Sequence, residues 1–346
     1  MVARFLGYIA SGRTRRLSGD YTFRDRPNAL YPFKEHYREN ILPHVQKFDK
    51  RRIESLAALR KRCFLGIPAI LGVIFLLIAF ITAYNPGEAL IKLAFGGAFL
   101  AVSGIGYWVY HPVKKYKSKV KGEIFPSVFS FFGDGYTYTE HCPVAVSSLE
   151  PSGIIPYYTS VKTEDYLKGR HNSVDLQLFE AELKERSGSG KNRRTVTVFK
   201  GLFITFSMNK PFKGRTLLRR DKGKIFNWLT NKTSHKELEA VRLEDPVFEK
   251  KFEVYSTDQI EARYLLTTSF MQRLLDMSAL FDNARIECSL YENQVLLKIP
   301  SKENKFETSS IFKPATFEED IHMILEEMGL IFKMIDILKL QEETRL

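Results

Sequence analysis

Two apolar runs divide the chain: CFLGIPAILGVIFLLIAFITAY at 63–84 and ALIKLAFGGAFLAVSGIGYWVY at 89–110, separated by the tetrapeptide NPGE. Each run matches the roughly 20 helical residues needed to cross the hydrocarbon core of a bilayer. The first run has no charged residue, and the second has only Lys92, near its start. The pattern predicts a transmembrane hairpin over 63–110. A buried hairpin in a soluble core is the alternative, which the unbroken length of both runs disfavours.

The segments that flank the hairpin have a different pattern. Residues 1–33 are rich in Arg, Gly and Ser and are expected to form a basic, partly disordered arm. Over 34–62 apolar positions recur every three or four residues, which predicts an amphipathic cytoplasmic helix. Its apolar stripe could pack on the cytoplasmic domain, on a second copy or on the membrane surface. Residues 111–135 are predicted to be a basic stalk with a break near Pro126.

Alternation of apolar and polar residues begins near Tyr136 and predicts strands. The stretch 171–186 is expected to pair with 195–210, and 285–291 with 294–300, as antiparallel hairpins. We therefore predict a membrane α-helical hairpin plus a cytoplasmic α+β domain with mainly antiparallel strands over 136–346. A polar stretch at 231–239 could divide this domain into two sub-domains.

The chain ends in a predicted helix whose apolar residues are spaced by four and three positions. This candidate helix-association seam consists of Ile321, Ile324, Met328, Ile331, Ile335 and Leu338. Additional apolar residues widen the face, which favours packing on the domain itself over an oligomeric seam.

Net charge is +12, and much of the excess flanks the hairpin. The candidate lipid-headgroup contacts are Arg60, Lys61, Arg62, Lys114, Lys115 and Lys117. The loop between the runs has only Glu88, so the positive-inside rule places both termini in the cytoplasm. The excess charge is thereby assigned to topology and to anionic headgroups, and no nucleic-acid partner is expected because no nucleic-acid-binding motif accompanies it.

Small residues are frequent in the second run. Gly97 and Ala101 form a small-xxx-small pair, which allows two helices to approach closely. Packing against the first run of the same hairpin is favoured over an interface between two copies.

The sequence shows no recognisable catalytic, cofactor or metal motif. Its three cysteines are scattered, which predicts neither a disulfide framework nor a metal site. Lys200, Lys210 and Lys213, set among phenylalanines, are a candidate face for an anionic ligand or partner, although a core strand with lysines in turns is favoured. The run from Asp258 to Arg263 contains two acids and a base, a pattern more typical of a helix start than of catalysis.

Several blocks give the chain a family resemblance. They are HYRENILPHVQKFDKRR, TEDYLKG, FEAEL, VFKGLFITFSMNKPFKG and FEKKFEVYSTDQIEARYLLTTSFMQRLL, in this order over 34–300. In these the chain resembles an uncharacterised bacterial two-span membrane family, the domain of unknown function three-one-three-seven. The resemblance implies a bacterial inner-membrane protein and carries no activity.

These observations favour a non-enzymatic, membrane-tethered interaction or scaffold module with a protein partner or a second copy. Two alternatives stay open. One is a lipid- or anion-binding sensor at the inner membrane, and the other is a membrane-associated enzyme of unrecognised type.

Overall fold

A computed structural model describes residues 2–17, 21–27, 29, 31–133, 135–188, 193–208, 212–219, 237–280, 285–301, 304, 306–308 and 310–338. The chain forms two compact units. The first comprises Met1–Val128 and Thr308–Ile321, and the second comprises Phe129–Glu307 and His322–Leu346.

The first unit is helical. Its helices are α1 (Val2–Ser11), α2 (Lys34–His36), α3 (Leu42–Tyr84) and α4 (Glu88–Phe129), with a π-helical turn at Tyr37–Ile41. Pro43 lies in the first turn of α3, directly after the π-helical turn, where the pattern of helical hydrogen bonds already changes. The 43 residues of α3 and the 42 of α4 make each helix about 65 Å long at 1.5 Å per residue. The predicted cytoplasmic helix and the first apolar run are thus largely one continuous helix.

The predicted break near Pro126 lies slightly later in the structure. Helix α4 continues through Pro112 and Pro126 to Phe129, and a 3₁₀ turn follows at Ser130–Phe132. Ile124, Phe125 and Val128 are buried around Pro126. Packing on these side chains offsets the one helical hydrogen bond that the proline cannot make.

Helices α3 and α4 are each long and apolar enough to cross a membrane, by length and composition. Their apolar windows are almost entirely exposed, and side chains such as Phe75, Leu76, Leu93 and Phe99 face outward. A core helix of a soluble protein would bury such side chains. The two helices therefore support a membrane protein.

The close approach between the two long helices is at Gly66 of α3. A Cβ atom there would lie 2.6 Å from Val109 Cγ2 and 3.3 Å from Ile105 Cγ2 of α4. At Gly97 a Cβ would meet no atom within 4 Å. The small residues around Gly97 thus do not supply the contact expected of them, because that side of α4 does not face α3 in the described chain.

We expect Gly66→Leu to destabilise the hairpin by about 1–3 kcal/mol, because the added side chain must displace Val109 and Ile105. Thermal unfolding of the purified full chain in detergent would show a lower midpoint. Gly97→Leu adds the same group into open space and should leave the midpoint unchanged. Equal losses for the two variants would contradict this helix packing.

The second unit is built on one nine-stranded sheet. Its strands are β1 (Thr137–Thr139), β2 (Ser160–His171), β3 (Val174–Ser187), β4 (Arg194–Ser207), β5 (Thr216–Arg219), β6 (Glu239–Val241), β7 (Glu253–Ser256), β8 (Glu287–Tyr291) and β9 (Gln294–Pro300). The order across the sheet is β1-β2-β3-β4-β9-β8-β5-β7-β6, and every pair is antiparallel. This confirms the predicted fold class.

Both predicted hairpins are present as β3–β4 and β8–β9. Glu292 and Asn293 join β8 to β9 with φ of 49° and 57°, the left-handed pair that a two-residue hairpin turn needs. Strands from before and after 231–239 join the same sheet. Residues 231–236 themselves lie outside the described part of the chain.

One face of this sheet is covered by the segment between β1 and β2, which contains a 3₁₀ helix at Val146–Ser152. Val146, Leu149 and Ile155 from this segment are buried in one cluster with Phe179 and Phe203 of the sheet. Alternate residues of β3 and β4 point to this face, as the two-residue period of a strand requires.

The remaining helices are α5 (Pro246–Lys251), α6 (Gln259–Leu265), α7 (Thr268–Leu280) and α8 (Glu318–Leu338). Five members of the candidate seam are buried within the single chain: Ile321, Ile324, Met328, Ile331 and Ile335. The side chain of Leu338 is outside the described part. Phe332 of α8 stacks on His171 of β2, with ring centroids 4.2 Å apart.

Candidate functional site

A cluster of polar side chains in the second unit lies at a β-bulge in β2. The register with β3 shifts between Glu164 and Leu167, and Asp165 has φ of +56° in this bulge. The bulge turns Asp165 inward, next to Glu164 and to Glu180 of β3. One carboxylate oxygen of each lies within 4.8 Å of the others. Asp165 and Glu180 are buried and Glu164 is half-buried.

Donors of the protein surround this carboxylate cluster. Asn304 Nδ2 donates to Glu164 Oε1 at 2.9 Å, and the backbone N–H of Phe306 donates to Glu180 Oε1 at 3.0 Å. Tyr138 donates its hydroxyl proton to Asp165. Burial raises the pKa of Tyr138 well above its ordinary value, and the Asp165 charge raises it further, so this hydroxyl stays protonated.

A small cavity of about 120 Å³ adjoins the cluster. Lys162 of β2, Glu182 of β3 and Lys200 of β4 are direct cross-strand neighbours and form a charge row along it. Lys162 Nζ also contacts Glu164 Oε2 at 2.9 Å. Opposite charges on adjacent strands stabilise the sheet by a few tenths to about 1 kcal/mol per pair.

The carboxylate cluster could hold a divalent cation through three oxygens. Each carboxylate also accepts a hydrogen bond from the protein. Two of these bonds hold residues 304 and 306 against the sheet. The sequence predicts no metal site because Glu164 and Asp165 would face opposite sides of a regular strand. Only the bulge brings them together, and nothing in the spacing indicates a bulge.

The predicted lysine face is not assembled as one surface in the described residues. Lys200 lines the cavity, whereas Lys213 is exposed just before β5, three strands away in the sheet. Lys210 lies outside the described part. The neighbouring Phe199 and Phe203 are buried on one face of β4 and Phe206 on the other, because both faces of this strand are covered.

The acid-rich start of α6 has a structural explanation. Asp258 is the N-cap, and its carboxylate accepts from the N–H groups of Ile260 and Glu261. Glu261 in turn accepts from the backbone N–H groups of Lys213 and Gly214. These acids hold a helix and a loop in place.

The candidate lipid contacts surround the ends of the apolar runs. Arg62 donates to the Trp108 carbonyl at 2.6 Å, and its guanidinium lies over the Trp108 ring. Lys114 lies over the Tyr107 ring, and Lys61 and Lys115 are exposed. Arg60 and Lys117 are half-buried.

Sequence reasoning missed a buried ionic group under the covered face of the sheet. Glu287 of β8 forms ion pairs with Arg219 of β5, at 2.8 Å, and with Lys298 of β9. Lys298 Nζ donates to the Ile154 carbonyl at 3.0 Å. The predicted β8–β9 hairpin already sets Glu287 opposite Lys298, but Arg219 joins them only through the pairing of β5 with β8.

Low pH should weaken the ion pairs of Glu287 with Arg219 and Lys298. Burial alone would raise the pKa of Glu287, but the charges of Lys298 and Arg219 outweigh burial and lower it below its ordinary value. The stability that these ion pairs contribute is fully present above about pH 4.3, the pKa of a glutamate in the unfolded chain. It is lost as the pH falls through the lower pKa of Glu287 in the folded chain. We expect the free energy of unfolding of the full chain to fall on acidification through this range.

The matched variant for this test is Glu287→Gln, which cannot titrate. It should be less stable than wild type at pH 7, since Lys298 and Arg219 lose their partner, and should lose less stability on acidification. Parallel acid profiles for the two proteins would contradict the assignment.

Two exposed apolar helices and a nine-stranded antiparallel sheet define a membrane protein with an α+β domain. Residues 197–340 match the family described as Protein of unknown function (DUF3137). This match confirms the family resemblance over that part of the chain.

No curated protein matches the chain. A similar solved structure is the crystal structure of the mycobacterial trehalose monomycolate transport factor A, TtfA. It shares 13% sequence identity, the alignment covers 64% of this chain and 97% of that chain, and the TM-score is 0.32. A likeness at this level supports no conclusion about function.

Proposed function

We propose that the chain is a membrane-tethered interaction module. It crosses the bacterial inner membrane twice, with both termini and the sheet domain in the cytoplasm. The observation that carries this proposal is the exposure of the apolar windows of α3 and α4. These apolar surfaces need a lipid environment, because exposing such a large apolar area to water is energetically unfavourable.

The charge distribution supports the orientation. All six cationic candidates at the open end of the hairpin are exposed or partly exposed and lie within about 15 residues of the spans. The turn at the other end has Glu88, which pairs with Lys92 at 3.0 Å. The end with excess positive charge stays in the cytoplasm.

A partner-binding surface is available at one end of the sheet. Strand β1 pairs with β2 only from Tyr166 onward, and β9 pairs with β4 only from Gly201 onward. Among the described strands, the first part of β2 and the first part of β4 therefore have an unpaired outer edge. Such edges accept an added strand.

Exposed apolar side chains lie at this same end. Val161 of β2 is 44% exposed and Val196 of β4 is 51% exposed. They are cross-strand neighbours of Leu183 and Glu185 of β3, so both point to the same face. We call Val161 and Val196 the distal patch. An apolar patch beside open strand edges is typical of a protein-binding surface.

Site-specific photo-crosslinking in the native membrane tests this function. A crosslinking residue at position 161 of the full chain should capture a protein of defined mass. The capture should be lost with Val196→Glu, which places a charge in the distal patch. A crosslinker at Ile260, which is 82% exposed on α6, is the matched control and should capture no such protein. Equal capture at both positions, or none at 161, would contradict the proposal.

A further inference from the structure

A cationic cleft lies in the first unit, beside the residues at which α3 becomes apolar. Its volume is about 720 Å³. Four cationic side chains line it: Arg13 and Arg16 from the N-terminal arm, and Arg60 and Lys61 from α3. No described carboxylate lines the cleft, so its positive charge is not neutralised from within.

The cleft also has an apolar side. Ile53 and Ala57 of α3 form part of its wall, and Phe64, the second residue of the first apolar run, also lines it. Phe64 is exposed, and Arg60 lies over its ring at 5.4 Å. A cleft that combines four cations with an exposed ring of the first apolar run fits an amphipathic anion better than a free ion.

The N-terminal arm is held in the shape that forms the cleft. Arg60 donates to the carbonyls of Ile9 and Ala10, at 3.0 and 3.3 Å, at the C-terminal end of α1. This cation suits the negative end of the helix dipole. Arg60 therefore positions the arm, while Arg13, Arg16 and Lys61 form no ion pair with a described carboxylate.

Gly12 makes the turn that directs the arm along α3. Its φ is +67°, and its N–H donates to the Tyr8 carbonyl at 2.7 Å. A Cβ at this position would lie 2.2 Å from Arg60 Nη1. Only glycine allows both the left-handed turn and the close approach of the guanidinium. The cationic cleft is thus present before any ligand arrives, which reduces the ordering cost of binding.

Helix α1 supports the placement of the cleft at a lipid surface. Its Tyr8 packs on Phe312, with ring centroids 6.0 Å apart, whereas Leu6 is 59% exposed. An amphipathic helix with an exposed apolar side chain and neighbouring cations is suited to the headgroup region of a membrane.

We infer that the cationic cleft binds the phosphate of an anionic phospholipid headgroup, with Phe64 beside the first carbons of the acyl chains. Arg13 and Arg16 provide the hydrogen-bonding cations, since guanidinium groups match phosphate oxygens in pairs. The inference goes beyond the proposed interaction module: it assigns a lipid to the arm and does not involve the distal patch.

Native mass spectrometry of the full chain tests the inference. The protein is extracted from mixed micelles of phosphatidylglycerol and phosphatidylcholine, and bound lipid is counted. Wild type should retain phosphatidylglycerol, and R13Q/R16Q should retain it roughly 10- to 30-fold more weakly, as expected for two near-surface charges. K50Q/K119Q removes one exposed charge from α3 and one from α4, neither of which lines the cleft, and should retain lipid like wild type.

A second variant separates geometry from charge. Gly12→Val keeps every charge but cannot form the turn, so it should also lose lipid several-fold. All variants should remain in the membrane fraction, which separates lipid loss from failure of the anchor. Wild-type retention by R13Q/R16Q or by Gly12→Val, or equal loss in K50Q/K119Q, would overturn the inference. Binding of inorganic phosphate without retention of lipid would overturn the lipid assignment.

Discussion

Replacing Arg52 with leucine is expected to release the N-terminal arm and the segment 308–321 from α3. The Arg52 side chain is fully buried in the first unit. It donates to Asp49 at 2.7 Å, to Thr14 Oγ1 at 3.1 Å, and to the carbonyls of Arg15 and Ile311 at 2.6 and 3.2 Å. A single guanidinium therefore joins three segments that are far apart in sequence.

The partner acid makes the loss larger. Asp49 also accepts from the N–H groups of Leu17 and Ala315, at 3.3 and 3.0 Å. Without Arg52, the Asp49 carboxylate stays buried with only these two backbone N–H donors. The carbonyls of Arg15 and Ile311 also lose their donor. Removing one partner of a buried ion pair costs about 3–5 kcal/mol.

Trypsin digestion of the membrane-embedded chain measures this effect. The released arm of Arg52→Leu should be cleaved after Arg13, Arg15 and Arg16, sites that the contacts to α3 protect in wild type. Arg51→Leu is the matched control at the adjacent position. It removes a partly exposed pair with Glu123, worth about 0–1 kcal/mol, and should leave the arm protected. Equal cleavage of the two variants would show that Arg52 does not hold the arm.

Replacing Lys298 with methionine is expected to destabilise the sheet by about 1.5–3 kcal/mol, because Glu287 keeps only Arg219 as a charged partner and the Ile154 carbonyl loses its donor. Methionine keeps most of the volume, so a packing defect contributes little. Hydrogen exchange of the full chain should show faster exchange in β8 and β9, where Lys298 and Glu287 are register partners.

The double variant Lys298→Met/Glu287→Gln separates charge from shape. It also removes the carboxylate charge that has lost its Lys298 partner, so protection of β8 and β9 should return in part toward the wild-type level. A double variant less stable than Lys298→Met would show that burial of the Glu287 charge is not the main cost.

Strong local patterns made much of the fold predictable. The two apolar runs predict α3 and α4, and strand alternation with Glu292-Asn293 predicts the β8–β9 hairpin. Each of these depends on residues close together in sequence. The nine-strand order was not predictable, because β4 pairs with β9 about 90 residues later.

The sites were less predictable than the fold for the same reason. Arg52 reads in the sequence as one more cation before the membrane, and its role depends on contacts to Thr14 and Ile311. Glu164 and Asp165 come together with Glu180 only because β2 contains a bulge. The cationic cleft combines Arg13 with Arg60, which needs the turn at Gly12.

The central claim is that the hairpin crosses the membrane with both ends of the chain on one side. The most direct test is cysteine labelling in spheroplasts, in a full chain whose three native cysteines are replaced. Gly87→Cys, in the exposed turn between the long helices, should react with an impermeant thiol reagent in intact spheroplasts. Lys213→Cys, exposed in the sheet unit, should react only after permeabilisation. Labelling of both positions in intact spheroplasts, or of neither before permeabilisation, would contradict the two-span account.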